Sequence, residues 1–232
     1  MRLIQLSDHP GKLLQDARAH REVPRVRRHW WSWIVGIFSG RAERRNGPTA
    51  QEESIAAGMA GERRVAAELG QVLGNEWVLF QGYRNRRGEI DHLLLGPGGL
   101  LAIEVKYRNA TVYVGGDDWQ FTKFDSWGNK VDQGWITEAT GRSPSVQLNE
   151  PADELERFLH SRRQLVSITR VVLLNHARSN VGRCQDPTVH VATSSDYIID
   201  LVNASAVQFQ GWRITQLEHL IEKDHRFHNG RR

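Results

Sequence analysis

Apolar positions along the chain change their period several times, and each change marks an element. From Glu52 onward, Ile55, Ala56, Met59, Ala60, Val65, Ala66 and Leu69 recur at the spacing of an amphipathic helix, with Gly70 and Gly74 at its end. Continuous runs follow. "WVLFQGY" (77–83) predicts a strand, "RNRRG" (84–88) a turn, "EIDHLLLG" (89–96) a second strand, and "GPGG" (96–99) a tight turn into a third, "LLAIEVKYR" (100–108). Residues 111–135, with Trp119, Trp127 and Trp135, read as strand and loop. "SPSVQLNEPADELERFLHSR" (143–162) starts as a loop and becomes a helix from about Pro151, since proline suits a first turn. "ITRVVLLN" (168–175) and "TVHVATS" (188–194) predict two further strands. "SDYIIDLVN" (195–203), with a Ser/Asp cap signal, and "RITQLEHLIEKD" (213–224) predict closing helices. This order predicts an α/β fold with a mixed sheet flanked by helices, and no internal repeat interrupts it.

The first 50 residues follow a different rule. Residues 1–28 are polar and Arg-rich, with a short helix expected around Leu13 and Leu14 before Pro24. "HWWSWIVGIFSGR" (29–41) then places Trp30, Trp31 and Trp33 close together. Its apolar run from Trp30 to Phe38 falls well short of the roughly 20 residues that cross a bilayer. Trp beside Arg suits an interfacial membrane anchor, a segment folded back on its own domain, or a contact with a second subunit. "RAERRNGPTA" (41–50) reads as a linker. Two parts are therefore expected, a basic Trp-rich arm over 1–50 and a folded domain over 51–232.

Charge sharpens that division. The chain carries +4, but residues 1–50 hold ten Lys/Arg against four Asp/Glu, leaving the remainder at −2. The basic character belongs to the arm, which suits nucleic acid, an anionic membrane surface or a solvated tail. A single cysteine, Cys184, excludes an internal disulfide and a cysteine-built zinc site, and fits a reducing compartment. The chain shows no signal-peptide pattern, so a cytoplasmic location is expected.

The hairpin around "GPGG" contains charges that need an explanation. Asp91, Glu104 and Lys106 lie inside apolar strands, where charge is costly unless compensated. Residues two apart on a strand share a face, so Glu104 and Lys106 project together. Pairing symmetric about Pro97–Gly98 places residue 91 opposite 104, within one cross-strand distance of roughly 5 Å. Two carboxylates at that distance suit a hard divalent cation, and a lysine beside them can hold a water or stabilise a phosphate. These are the parts of metal-assisted phosphodiester hydrolysis. Glu89 shares the face of Asp91 and is a further carboxylate candidate.

Asp, a spacer and Glu-X-Lys on the next strand form a pattern that resembles the PD-(D/E)XK nuclease superfamily. Within it, "DHLLLGPGGLLAIEVK" is similar to the core motif of the nuclease-related domain (NERD) family. "GERRVAAEL", "DDWQ" and "SPSVQL" extend the likeness, which covers roughly residues 52–200. The resemblance implies a restriction-endonuclease-like core and a Mg²⁺- or Mn²⁺-dependent nuclease, with DNA the expected substrate over RNA. It implies that Asp91 and Glu104 bind the metal with the Val105 carbonyl as a third ligand, and that Lys106 handles the attacking water or the phosphate. Glu62 matches an acidic position that assists metal binding, in part through water, and Gln147 matches a glutamine approaching from a following helix.

Other residues complete the reading. Arg84, Arg86 and Arg87, in the turn beside the hairpin, are candidates for gripping phosphates. "GPGG" is followed by no helix and lacks the Lys-Ser/Thr of a nucleotide-binding loop, so no nucleotide cofactor is expected. His92 points away from Asp91 and is expected to pack rather than ligate, while His219, His225 and His228 are expected on a helix surface. Two rival classes stand beside the nuclease. One is a non-catalytic nucleic-acid-binding module on the same scaffold. The other is an accessory protein recruited to a membrane or partner by the arm, or assembled into a homo-oligomer through Trp30, Trp31 and Trp33.

Overall fold

The computed structural model describes residues 1–7, 50–137 and 141–229. Trp30, Trp31 and Trp33, the helix expected around Leu13 and the linker up to Thr49 lie outside the described residues. In chain order the elements are β1 (Arg2–Gln5), α1 (Ala50–Val72), β2 (Val78–Arg84), β3 (Glu89–Gly96), β4 (Gly99–Lys106), β5 (Thr111–Gly115), β6 (Asp118–Phe124) and β7 (Lys130–Trp135). They continue with α2 (Pro144–Ser161), β8 (Ile168–Leu174), β9 (Asn180–Gln185), β10 (His190–Ala192), α3 (Ser195–Asn203) and α4 (Gly211–Asn229).

A six-stranded mixed sheet, ordered β1-β2-β3-β4-β8-β10, forms the centre. The β2–β3–β4 meander is antiparallel, whereas β1 on β2, β8 on β4 and β10 on β8 are parallel. Strand alternation divides the apolar residues between the two faces. Leu79, Leu94, Leu101, Ile103 and Val171 pack under α1 and α3, against Val65, Leu69, Ile198 and Val202. On the other face Phe80, Leu93, Leu95, Leu100 and Val172 meet Leu148 and Leu155 of α2 and Leu217 and Ile221 of α4. Burial on both faces explains why β3 and β4 read as runs rather than alternations. The expected α/β architecture with helices flanking a mixed sheet is present. Among the described residues no helix is long and apolar enough to cross a membrane.

The hairpin register follows the symmetric pairing: Gly96 pairs Gly99, Leu95 pairs Leu100 and His92 pairs Ile103. Gly99, at φ +118°, adopts a conformation L side chains rarely take. Trp77 is packed against this turn, and a Cβ on Gly96 would stand 2.2 Å from its ring.

Several elements differ from the sequence reading. Residues 2–5, assigned to the arm, form the edge strand β1, with the Met1 ammonium donating to Leu73 O at 2.9 Å. Four residues are too few for a periodic signal. A second sheet, β7-β6-β5-β9, takes up residues 111–135 and adds β9, whose exposed "NVGRCQ" lacks any apolar alternation. The helix expected from Pro151 begins at Pro144, with Ser143 as N-cap accepting from the Val146 N–H, and Pro151 lies inside it. Two prolines competed for the first turn, and the one following a serine cap took it. His225, expected on the surface, is buried and accepts the Arg84 N–H at 3.1 Å.

Gly96→Ala forces a methyl into the buried Trp77 ring and should destabilise the protein by about 1–3 kcal/mol, the usual cost of overpacking. Thermal melting of the variant checks this, and an unchanged midpoint would show that Trp77 moves freely.

Candidate active site

The site forms where the β3–β4 ladder stops. After His92–Ile103 the next pair in register is Asp91 and Glu104, but there the Val105 N–H donates to Asp91 Oδ2 at 2.7 Å. A side-chain carboxylate takes the place of a ladder carbonyl. Glu104 and Lys106 remain in the sheet on their other side, paired with Val172 and Leu174 of β8. Both project toward α2, and Lys106 Nζ lies 2.9 Å from Glu104 Oε1. It also donates to Gln147 Oε1 at 2.9 Å, from the first turn of α2. Glu104 is 2% exposed, and burial that deep requires a cation partner, which Lys106 provides.

Glu62 arrives from α1. The Asn175 side chain donates to Gly61 O at 2.8 Å while its N–H donates to Lys106 O at 2.9 Å, tying α1 to the ends of β4 and β8. Glu62 and Asp91 then line a cleft of about 340 Å³ with Gln5, Ser7, Gln81 and Glu89. Sequence reasoning missed the contribution of the residues that follow β1: Ser7 Oγ donates to Gly82 O at 2.8 Å and lies 3.3 Å from Glu89 Oε1. The signal was Gly82, at φ +69°, where a Cβ would stand 2.4 Å from Ser7 Oγ. A glycine inside a strand marks such a close approach.

Four carboxylates, Glu62, Glu89, Asp91 and Glu104, act on one another here, opposed by Lys106 and Arg63. Burial, reinforced by the charge of Glu62, pushes Asp91 up to about 7, while Lys106 and the Val105 N–H pull the other way. Burial, reinforced by Glu104 and Glu89, pushes Glu62 up to about 7 as well. The donors are hard oxygens without thiol or imidazole, the chemistry of a Mg²⁺ or Mn²⁺ site rather than of zinc or copper. A divalent cation would remove the repulsion that raises both carboxyls. Among the described residues no group of three His, Cys, Asp or Glu already stands in a metal-holding arrangement. The fit is therefore one of donor chemistry and charge.

The remaining candidates divide. His92 lies in the core, where burial pushes its imidazole down to about 4, so it stays neutral. Arg86 is turned from the cleft: its Nε lies 2.7 Å from Glu154 Oε1, and it lines a groove between α2 and α4. Arg87 is exposed at the turn, where its carbonyl accepts from Arg142. The structure thus brings Asp91, Glu104, Lys106, Glu62 and Gln147 to one end of the sheet, and does not bring Arg86 there.

The fold and this charge cluster define a nuclease-like α/β core. The family model described as "Nuclease-related domain" (NERD) matches residues 57–175, from α1 to the end of β8 and just over half of the chain. The chain belongs to the NERD family. No curated protein and no solved structure matches it.

The two raised carboxyls make a pH prediction. Each binds its proton more tightly folded than unfolded, so their contribution to stability is present below the ordinary carboxyl range and lost as pH rises through about 7. In the metal-free protein, Glu62→Gln should therefore raise the melting temperature relative to the native chain by an amount that grows between about pH 5 and about pH 8. A difference constant over that range would show that Glu62 is not raised.

Proposed function

We propose that this protein is a metal-dependent nuclease that hydrolyses phosphodiester bonds in the cytoplasm, with DNA preferred over RNA. The observation that carries the reading is the convergence of Asp91, Glu104 and Lys106 at the open end of one ladder, with Glu62 closing the cleft from α1. Asp91, Glu104 and the Val105 carbonyl would hold Mg²⁺ or Mn²⁺, assisted by Glu62, and the ion would supply Lewis acidity toward phosphate and an acidified water.

The chain's own residues do the rest. Lys106 directs an ammonium at the place where charge develops on phosphate, or holds the attacking water through its N–H groups. Gln147 fixes the direction of that ammonium, since its carbonyl takes one of the three N–H donors at 2.9 Å. In the metal-free protein Asp91 and Glu62 are raised to about 7, so binding of the cation would release their protons. Arg84, at the end of β2, and Arg87, in the turn after it, would meet flanking phosphates in this reading, and the arm would serve substrate capture or self-association.

Plasmid, single-stranded DNA and RNA should be assayed side by side. Cleavage should require Mg²⁺ or Mn²⁺, and undiminished cleavage in excess EDTA would sink the proposal. Glu104→Gln and Lys106→Ala, with folding verified by melting, should each lower the rate more than tenfold, a loss above about 1.4 kcal/mol in transition-state stabilisation. A folded Lys106→Ala protein of native activity would remove Lys106 from the chemistry.

A further inference from the structure

Tyr107 follows Lys106 directly and, by alternation, points to the opposite face. Its ring lies against Gly61, the residue before Glu62, where a Cβ would stand 3.6 Å from Tyr107 Cδ2. The ring thus occupies the seam between the two segments that carry Lys106 and Glu62. It is 48% exposed and meets the His176 imidazole edge-to-face, with centroids 4.9 Å apart and planes at 68°. A lone exposed aromatic needs no explanation. This pair is held from several sides before any ligand arrives. Asn175 bonds both Gly61 O and Lys106 O, the Arg178 N–H donates to His176 Nδ1 at 3.0 Å, and Ser179 bonds both His176 O and Arg108 O.

The charge also changes sign across Lys106. The cleft gathers carboxylates, whereas His176 has cations for neighbours: after burial, Arg178 and Lys123 lower its proton affinity. Arg108 stands over the Phe121 ring at 5.0 Å on the same connection. An exposed aromatic ring braced by a second, with cationic side chains nearby, has the composition of a base-stacking site with phosphate partners.

We propose that Tyr107, braced edge-to-face by His176, stacks one unpaired base of a DNA strand, with Arg178, Arg108 and Lys123 facing its phosphates. The position of this base beside the phosphate at Lys106 rests on the nuclease reading, while the stacking site itself rests on the aromatic pair. Within a duplex both faces of a base are covered by its neighbours, so the site selects single-stranded, gapped or frayed DNA.

The test is direct binding, followed by fluorescence anisotropy of a labelled oligothymidine and of a duplex of equal length, with the full chain in EDTA so that nothing is cut. Tyr107→Ala should weaken single-strand binding about tenfold, within the range for loss of one stacked base, and leave duplex binding within about twofold. Tyr107→Phe should bind like the native chain, because stacking uses the ring and not the hydroxyl, and it also controls for packing against Gly61. His176→Ala should shift affinity in the same sense as Tyr107→Ala. Equal losses on single strand and duplex, no loss at all, or failure of Tyr107→Phe to restore binding would overturn the proposal. Tyr107-dependent single-strand binding in a protein that cleaves nothing with Mg²⁺ or Mn²⁺ would support the stacking site and refute the nuclease reading. Lys106-dependent cleavage with native binding by Tyr107→Ala would do the reverse.

Discussion

One exchange in the sheet governs the rest of the site: where β3 and β4 would next pair, the Asp91 carboxylate takes the Val105 N–H. The bond satisfies a buried donor that a ladder carbonyl would otherwise hold, so main-chain pairing can end there without an orphaned group. It also fixes the Asp91 side chain against β4 and with it the distance to Glu104. Because β8 continues to pair Glu104 and Lys106, the chain on the far side of the break stays rigid. A cleft thus opens on one side of β4 while the other remains core.

Holding like charges at that opening costs stability, and the fold offsets it elsewhere. Glu104 has Lys106 within 2.9 Å, but Asp91 and Glu62 are pushed toward neutrality by burial and mutual repulsion. Their environment favours the protonated acid, or an added cation, over two bare carboxylates. Apolar clusters on both faces of the six-stranded sheet, sealed by Trp77 at the hairpin turn, provide the rigid frame. Local conflict inside a consistent framework is the usual mark of a functional site.

The hairpin was the most legible part of the chain, because a two-residue turn fixes a register and a register fixes which side chains meet. Adding residue numbers about Pro97–Gly98 was enough to give the register of the ladder, which ends at His92–Ile103 with 91 and 104 next in line. Glu62 and Gln147 were legible only through the family resemblance, since no local pattern says that two helices converge on one strand end. What stayed hidden shares a cause: contacts between segments distant in sequence and too short or too polar to show a period. β1 is four residues long, β9 is nearly all exposed, and Ser7 reaches Glu89 across 82 positions. Arg86 looked like a phosphate grip because Glu154, which holds it, lies on a helix far along the chain.

The second sheet belongs to this arrangement rather than decorating it. Trp119 of β6 is buried, and its Nε1 donates to Ser145 Oγ at 3.1 Å. Ser145 in turn donates to Asp117 Oδ1 at 2.6 Å, and Ser143 caps the helix beside it. These bonds anchor the first turn of α2 at a set height above the main sheet, and Gln147 is two residues further along that turn. The direction of the Lys106 ammonium therefore depends on a tryptophan in another sheet, through a serine and a glutamine. Since β5 and β9 begin directly beyond the ends of β4 and β8, the chain that leaves β4 returns to position the residue that orients its lysine. The family match runs from α1 through α2 to the end of β8, which encloses this circuit apart from β9.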